Sequence, residues 1–214
     1  MPAPDRIVVA SAAVTVTIAA GCEAASYDLD LELRAKSARP AVIPFSIEFP
    51  YARPEQIGRL RASVDGGDAP AVEREVGVTP GSARLTFPNL FQSGTEAKPA
   101  VRLEISFDLP AQTSASPRGF FQPRLFSSTL CHVVSTERVM VRFVAPAGAR
   151  IVAAVPFASI QNGVATFAEH RLPPGAWSTQ TVILRRRWRL PAVLHHAGLA
   201  AIFEFAKWWM LDHC

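Results

Sequence analysis

The chain has 214 residues, of which 49% are hydrophobic and 19% charged. This apolar fraction is large enough to build a core, so a globally disordered chain is excluded. Three cysteines are too few for a disulfide-built scaffold. No run of about 18 consecutive apolar residues is free of charge, so a conventional membrane-spanning helix is not expected.

The first half of the chain alternates between apolar and polar residues, as a half-buried strand does. Residues 27–34 show the pattern most clearly: we expect Tyr27, Leu29, Leu31 and Leu33 on a buried face and Asp28, Asp30, Glu32 and Arg34 on the opposite one. Residues 101–109 alternate in the same way. Further strands are predicted at 7–19, 42–49, 72–76 and 84–87, and residues 57–64 form either a strand or a short helix. This number and spacing of strands predicts an antiparallel β-sandwich.

The sandwich is assigned to residues 1–109, and its architecture resembles that of immunoglobulin-like sandwiches, without any specific motif. Residues 110–119 have no apolar periodicity and predict a linker or long loop. A second, smaller β region follows at 120–189, with strands at 124–134, 137–144, 150–155, 164–167 and 178–186. It either packs on the first region or shares a sheet with it. Residues 190–214 predict an amphipathic α-helix that starts after Pro191.

The excess positive charge lies at the end of the chain. Residues 171–214 hold six Lys or Arg and two Asp or Glu, so their net charge equals the +4 of the whole chain. All four tryptophans lie there too. Basic groups beside indole rings are typical of a membrane-surface or protein-docking segment. We predict a docking element at residues 185–211, with these contact residues: Arg185, Arg186, Arg187, Trp188, Arg189, Phe203, Phe205, Trp208 and Trp209. The alternative is that these rings cover an open end of the sandwich.

No catalytic, cofactor-binding or metal site is predicted. The sequence contains no nucleophile elbow, phosphate loop, dinucleotide fingerprint or zinc-protease motif. Cys131 and His132 are neighbours in a predicted strand and point to opposite faces, so they do not form a dyad; a buried structural cysteine is expected. Glu169 and His170 are expected to form a surface loop pair. The C-terminal group His195, His196, His213 and Cys214 cannot be collected by one helix to bind zinc.

The N-terminal segment allows two interpretations. Residues 7–20 are apolar and end in Ala19-Ala20-Gly21-Cys22, which resembles a lipoprotein cleavage box. However, residues 14–18 alternate with the period of a strand, and Asp5 leaves the leading residues barely basic. We therefore favour a first strand and a cytoplasmic or membrane-peripheral protein. The alternative is an envelope lipoprotein anchored at Cys22.

The sequence thus favours a non-enzymatic β-sandwich interaction module that docks through its basic, Trp-rich C-terminal helix. A protein partner or a second copy of the chain is expected, an anionic membrane surface is the other candidate, and nucleic acid is not expected. Two alternatives remain open: an envelope lipoprotein that binds a small ligand or glycan, and a hydrolase whose site is assembled from loops.

Overall fold

A computed structural model describes residues 7–20, 23–36, 44–50, 52–68, 71–78, 81–88, 90–93, 96–110 and 124–186. These residues are mostly β-structure, and the single helical element among them is one 3-10 turn at Pro54–Gln56. The strands are β1 (Ile7–Ile18), β2 (Ala24–Ala35), β3 (Phe45–Phe49), β4 (Gly58–Val64), β5 (Gly67–Asp68), β6 (Glu73–Val76), β7 (Ala83–Phe87), β8 (Gln92–Ser93), β9 (Glu96–Ala97), β10 (Ala100–Pro110), β11 (Arg124–His132), β12 (Thr136–Val144), β13 (Ala149–Val155), β14 (Ser159–Gln161), β15 (Val164–Leu172) and β16 (Ala176–Arg186).

The large sheet contains eight strands in the order β14-β15-β12-β1-β2-β10-β4-β5. Its centre is the hairpin of β1 and β2, extended by β10 on one side and β12 on the other. The pair β1–β12 is parallel, with Val14 opposite Val141, whereas the other described pairs are antiparallel. The prediction of a purely antiparallel structure was therefore wrong at this pair, because two strands far apart in sequence meet side by side.

The small sheet contains six strands in the order β13-β16-β11-β3-β7-β6. Its two halves are joined where β11 meets β3, at the single pair Cys131 and Glu48. Strands from both predicted regions of the chain are present in each of these two sheets, whereas β8 and β9 pair with each other in a separate two-stranded sheet. The second β region thus shares sheets with the first, which is one of the two arrangements that the sequence left open. The predicted domain limits at 110–119 stay a prediction, since residues 111–123 lie outside the described ranges.

The two sheets share one hydrophobic core. Aromatic rings connect them: Phe49 on β3 meets Phe107 on β10 edge-on at a centroid distance of 4.7 Å, and Phe126 on β11 meets Phe143 on β12 at 6.0 Å. Such ring contacts stabilise the fold by more than the burial of their apolar surface alone provides. The predicted register of β2 is confirmed, because Tyr27 and the three leucines are buried while the charged residues between them are not.

The strand predictions differ from the structure mainly at short or ambiguous segments. Residues 57–64 were left as strand or helix, and the structure shows the strand β4. The described part of segment 42–49 is strand only from Phe45, directly after Pro44. Four strands of two or three residues were not predicted, because a segment this short is too short to show a periodic pattern: β5, β8, β9 and β14. The predicted C-terminal helix lies outside the described residues.

The N-terminal segment forms a strand, as expected. Residues Ile7–Ile18 make β1, whose neighbours are β2 and β12, and its inward residues Val14, Val16 and Ile18 are almost completely buried. Residues 1–6, 21 and 22 are outside the described ranges. The apolar character of this segment is therefore accounted for by its place in the middle of the large sheet.

Candidate functional site

The predicted docking element begins at the end of β16. The Arg185 side chain is exposed there, and the backbone of Arg186 pairs with that of Ala149 on β13. The other predicted contact residues lie outside the described ranges: Arg187, Trp188, Arg189, Phe203, Phe205, Trp208 and Trp209. Of the predicted docking element, the structure describes only Arg185, Arg186 and the sheet surface beside them.

That surface is the outer face of the small sheet, formed by β13, β16 and β11. Arg185 and Arg150 lie opposite each other at its basic end. One step along the strands, Ile183 lies opposite Leu125, whose side chain is exposed. Further along the edge strand, Val155 is 61% exposed. A basic pair thus borders an apolar row directly beside the point where the docking element begins.

The remainder of this face is polar but locally paired. Ser127 and Thr181 are hydrogen-bonded at 2.8 Å between their hydroxyl oxygens, and Thr129 and Thr179 at 3.0 Å. At the far end Trp177 is 45% exposed. Because these hydroxyl groups are already hydrogen-bonded to each other across the strands, they do not need a hydrogen-bonding partner from another molecule. The exposed indole of Trp177 is a second apolar contact point on this face.

The outer face of the large sheet has a different character. Its exposed groups are mostly charged and paired: Arg102 donates to the Asp30 carboxylate at 2.6 and 2.8 Å, and Arg34 donates to Glu32 at 2.7 Å. Exposed pairs of this kind are typical of a solvated surface and contribute little to stability. Between the two outer faces, the one beside Arg185 is the better candidate for contact with another molecule.

A buried carboxylate lies on the small sheet. Glu48 on β3 is only 4% exposed, accepts a hydrogen bond from Ser82 at 2.6 Å, and pairs with Arg84 at 3.2 Å. Gly77 leaves the space that this cluster needs, because a Cβ there would stand 2.6 Å from Glu48 Oε1 and closer still to Ser82 Oγ. A buried charge needs such partners to offset its desolvation. The paired carboxylate is suited to holding strands together rather than to acting as a free base.

Cys131 is a half-buried free thiol opposite Glu48. Burial raises the pKa of the Cys131 thiol, the Glu48 carboxylate raises this pKa further, and Arg84 opposes the shift. Because the thiolate is the nucleophile, a raised pKa disfavours nucleophilic chemistry near neutral pH. The expectation of a structural cysteine agrees with this direction, although the side chain is half-buried rather than fully buried.

This assignment predicts slow alkylation of Cys131. We expect the pH midpoint of its reaction with iodoacetamide, followed by mass spectrometry of the Cys131 peptide, to lie above that of an ordinary thiol. The same protein unfolded in guanidinium serves as the control and should react with an ordinary midpoint. A native midpoint at or below the unfolded one would show an activated cysteine.

The expectation for Glu169 was wrong. Glu169 lies within β15 rather than in a loop, and its carboxylate accepts hydrogen bonds from Ser178 at 2.9 Å and Gln180 at 2.8 Å. Ser178 and Gln180 are buried on β16, so these bonds link the two sheets. His170, the next residue, is exposed. β15 continues through Arg171, which has a positive φ of 54°, to Leu172, which lies opposite Thr136 on β12.

A small cavity of about 40 Å³ lies between the sheets, close to the junction of β3 and β11. Its walls are mostly aliphatic and include Val14, Leu29, Leu31 and Leu130, with Thr136 among the few polar members. This volume accommodates a few non-hydrogen atoms at most. It is too small for a drug-sized ligand.

Within the described ranges, no three His, Cys, Asp or Glu side chains are placed to hold a metal ion. The residues considered for zinc in the sequence, His195, His196, His213 and Cys214, lie outside those ranges. In the same part of the chain, no helix has the length and apolar character needed to span a bilayer.

Glu48 and Gln180 are two of the seven buried polar residues of the described part of the chain, and sequence analysis predicted neither. The only hint for Glu48 is its position between apolar residues, Phe45-Ser-Ile-Glu-Phe49, where a polar residue at an outward position looks ordinary. The burial comes from Ser82 and Arg84, which follow more than thirty positions later. The alternation of residues around Glu48 therefore does not reveal that its carboxylate is buried.

Comparison with known proteins gives a fold likeness and no family. No family model and no curated protein matches the chain. Native leukotriene A4 hydrolase from Saccharomyces cerevisiae superposes with a TM-score of 0.52 and 10% identity, covering 83% of this chain and 29% of that chain. Its complex with bestatin gives a TM-score of 0.51 at 10% identity, with 83% and 28% covered. An M1 zinc metallopeptidase from Deinococcus radiodurans gives only 0.43 at 15% identity, covering 84% and 42%.

These likenesses concern the fold alone. The chain spans less than a third of the length of the yeast hydrolase, and 10% identity does not carry residues or activity from one protein to the other. The yeast comparison places the two-sheet arrangement among known β folds. The score for the Deinococcus structure is too low to support an argument.

Proposed function

We propose that this chain is a non-enzymatic interaction module of the β-sandwich type, with an immunoglobulin-like architecture. It docks to a protein partner or a membrane surface through the basic, Trp-rich element at residues 185–211. The proposal includes a cytoplasmic or membrane-peripheral location. The observation that carries it is the surface beside Arg185, where the pair Arg150 and Arg185 lies two positions along β16 from Ile183 and its exposed partner Leu125.

The chemistry of the element suits an anionic membrane surface. Basic residues near such a surface contribute about 1 kcal/mol each, and indole rings favour the headgroup region. Four arginines and three tryptophans fall within residues 185–211. The same element suits a protein groove, in which Trp and Phe are common anchors. The apolar face of an amphipathic helix is costly to leave in water, so it needs one of these surfaces unless the sandwich itself covers it.

The described polar clusters support a role without catalysis. The Glu48 carboxylate is ion-paired, the Glu169 carboxylate is bound between the sheets, and the raised pKa of Cys131 disfavours a thiolate. Each of these groups has a structural explanation. Cys131 lines the described cavity of about 40 Å³, which is too small for a drug-sized ligand.

Co-sedimentation with vesicles tests the membrane form of the proposal. We expect binding to vesicles rich in phosphatidylserine and little binding to neutral vesicles. Replacing Arg185, Arg186, Arg187 and Arg189 by Gln should weaken binding by up to about 4 kcal/mol, since four charges are lost.

A charge-matched variant provides the control for this assay. Gln at Arg61, Arg138, Arg142 and Arg171 removes the same charge from exposed positions outside the docking element. We expect this variant to bind as the unchanged protein does. Equal loss in both variants would reduce the effect to net charge, and no binding at any lipid composition would rule out the membrane form and leave the protein groove.

The central position of β1 also predicts the state of the N-terminus. Removal of residues 1–21, as in a lipoprotein anchored at Cys22, would delete β1 and expose its neighbours β2 and β12. We therefore expect intact-mass spectrometry of protein from its native host to show residues 7–21 retained. A lipid-modified chain that begins at Cys22 would contradict this and favour the lipoprotein that binds a small ligand or glycan.

A further inference from the structure

One flank of the molecule carries almost no charge. It consists of β13, the edge strand of the small sheet, β14, the edge strand of the large sheet, and residues 156–158 between them. Its one charged residue is Arg150, and the segment from Ile151 to Ala168 contains none, although 19% of the chain is charged. We call residues 151–161 the uncharged flank.

Large apolar side chains are exposed along this flank. Val152, Val155, Phe157 and Ile160 all belong to it, and Phe157 is 95% exposed. They make up four of the nine large hydrophobic residues that are exposed in the described part of the chain, within nine consecutive positions. Isolated exposed apolar residues are normal, but a cluster of this kind marks a contact surface.

The edges on the opposite flank are protected in the usual ways. Edge strand β6 carries Glu73, Arg74 and Glu75, all exposed, and β5 is only two residues long and ends in Asp68. Charges and short lengths prevent a sheet edge from pairing with another chain. By contrast, β13 has seven residues, and after Arg150 it carries no charge. Among the described strands it pairs only with β16.

We propose that the uncharged flank is the interface between two copies of this chain, in which β13 pairs antiparallel with β13 of the partner subunit. A twofold interface brings each surface patch against itself. Any charge in the middle of the patch would therefore face its own copy. A flank whose central residues carry no charge avoids this repulsion. The dimer proposal does not depend on the docking element.

In an antiparallel pair related by a twofold axis, opposed residues point to the same face of the sheet. A register that sets Ala154 opposite Ala154 of the partner subunit meets this condition, and it brings Val155 opposite Ala153 of the partner subunit. It also separates the two Arg150 residues by about eight positions, or roughly 26 Å at 3.3 Å per residue. The bulge between Ile151 and Ala153 limits regular pairing to a few residues. Side-chain contacts of Val152, Val155 and Phe157 must therefore supply most of the interface.

Sedimentation velocity of the full-length protein at tens of micromolar tests this proposal. We expect twice the chain mass of 23.2 kDa. Val155→Lys should shift the protein to monomers, because it places a charge against an apolar side chain of its own copy. Phe157→Ser should raise the dimer dissociation constant by at least tenfold. Both residues are well exposed, so the variants should fold normally.

Val76→Lys is the matched control. Val76 is also an edge-strand valine of the small sheet, is 71% exposed, and lies on the opposite flank. We expect this variant to remain dimeric. A monomeric unchanged protein, or a dimer that Val155→Lys leaves intact, would overturn the proposal. Vesicle binding by Phe157→Ser, which leaves the net charge unchanged, reports separately on the docking element.

Discussion

Replacing Leu31 by Ala should lower the free energy of unfolding by about 2–5 kcal/mol, as expected when a fully buried leucine is truncated. Leu31 is 4% exposed, lies opposite Ala12 on β1 and Leu103 on β10, and lines the small core cavity. Truncation would enlarge an existing void that the two sheets cannot close. Chemical denaturation of the variant and the unchanged protein measures the difference.

Asp28→Ala provides the control on the same strand. Asp28 is exposed on the outward face of β2, so its replacement should change the stability by no more than about 0.5 kcal/mol. Similar losses for the two variants would mean that the inward face of β2 does not carry the core. A large loss of unfolding free energy for Asp28→Ala alone would show that the two faces of β2 are assigned the wrong way round.

Replacing Gly77 by Ala should lower the stability by about 1–3 kcal/mol, the usual range for overpacking. The added Cβ would meet Glu48 and Ser82, whose side chains are already hydrogen-bonded to each other. Either the carboxylate moves away from Arg84 or the backbone between β6 and β7 shifts. Thermal and denaturant unfolding both report the loss.

Gly67→Ala is the matched control, since a Cβ there would have only an ordinary 3.6 Å contact with the carbonyl oxygen of Val64. We expect Gly67→Ala to be near neutral. If Gly77→Ala is equally well tolerated, the Glu48 cluster is loose and does not hold β3, β6 and β7 in place.

The strands that sequence analysis predicted best are those in which one face is buried. Along β2 and β10, each apolar residue alternates with a polar one, and the period of two is a local property of the chain. The same reasoning located β1, β12 and β16. It failed at β14 and β5, which are too short to show a period.

Tertiary pairing accounts for the other misses. The parallel contact of β1 with β12 joins residues about 130 positions apart, for example Val9 and Thr136, and no local signal specifies it. Glu48 and Glu169 look like ordinary surface residues of strands or loops. Their surroundings come from Ser82 and Arg84 in one case and from Ser178 and Gln180 in the other.

For the candidate site, the sequence located the excess charge and the indole rings but not the surface beside them. Composition alone identifies residues 185–211 as basic and aromatic. The apolar row of Leu125 and Ile183, and the basic pair of Arg150 and Arg185, depend on the pairing of β16 with β11 and β13. That pairing is a property of the folded sheet.

The most direct test of the docking proposal is acrylamide quenching of tryptophan fluorescence in the Trp177→Phe variant. Its remaining indoles, Trp188, Trp208 and Trp209, all belong to the docking element. The proposal predicts that acrylamide reaches these rings readily in the free protein and that anionic vesicles or a protein partner shield them. Rings already shielded in the free protein would mean that the chain's own surface covers them, and would contradict the proposal.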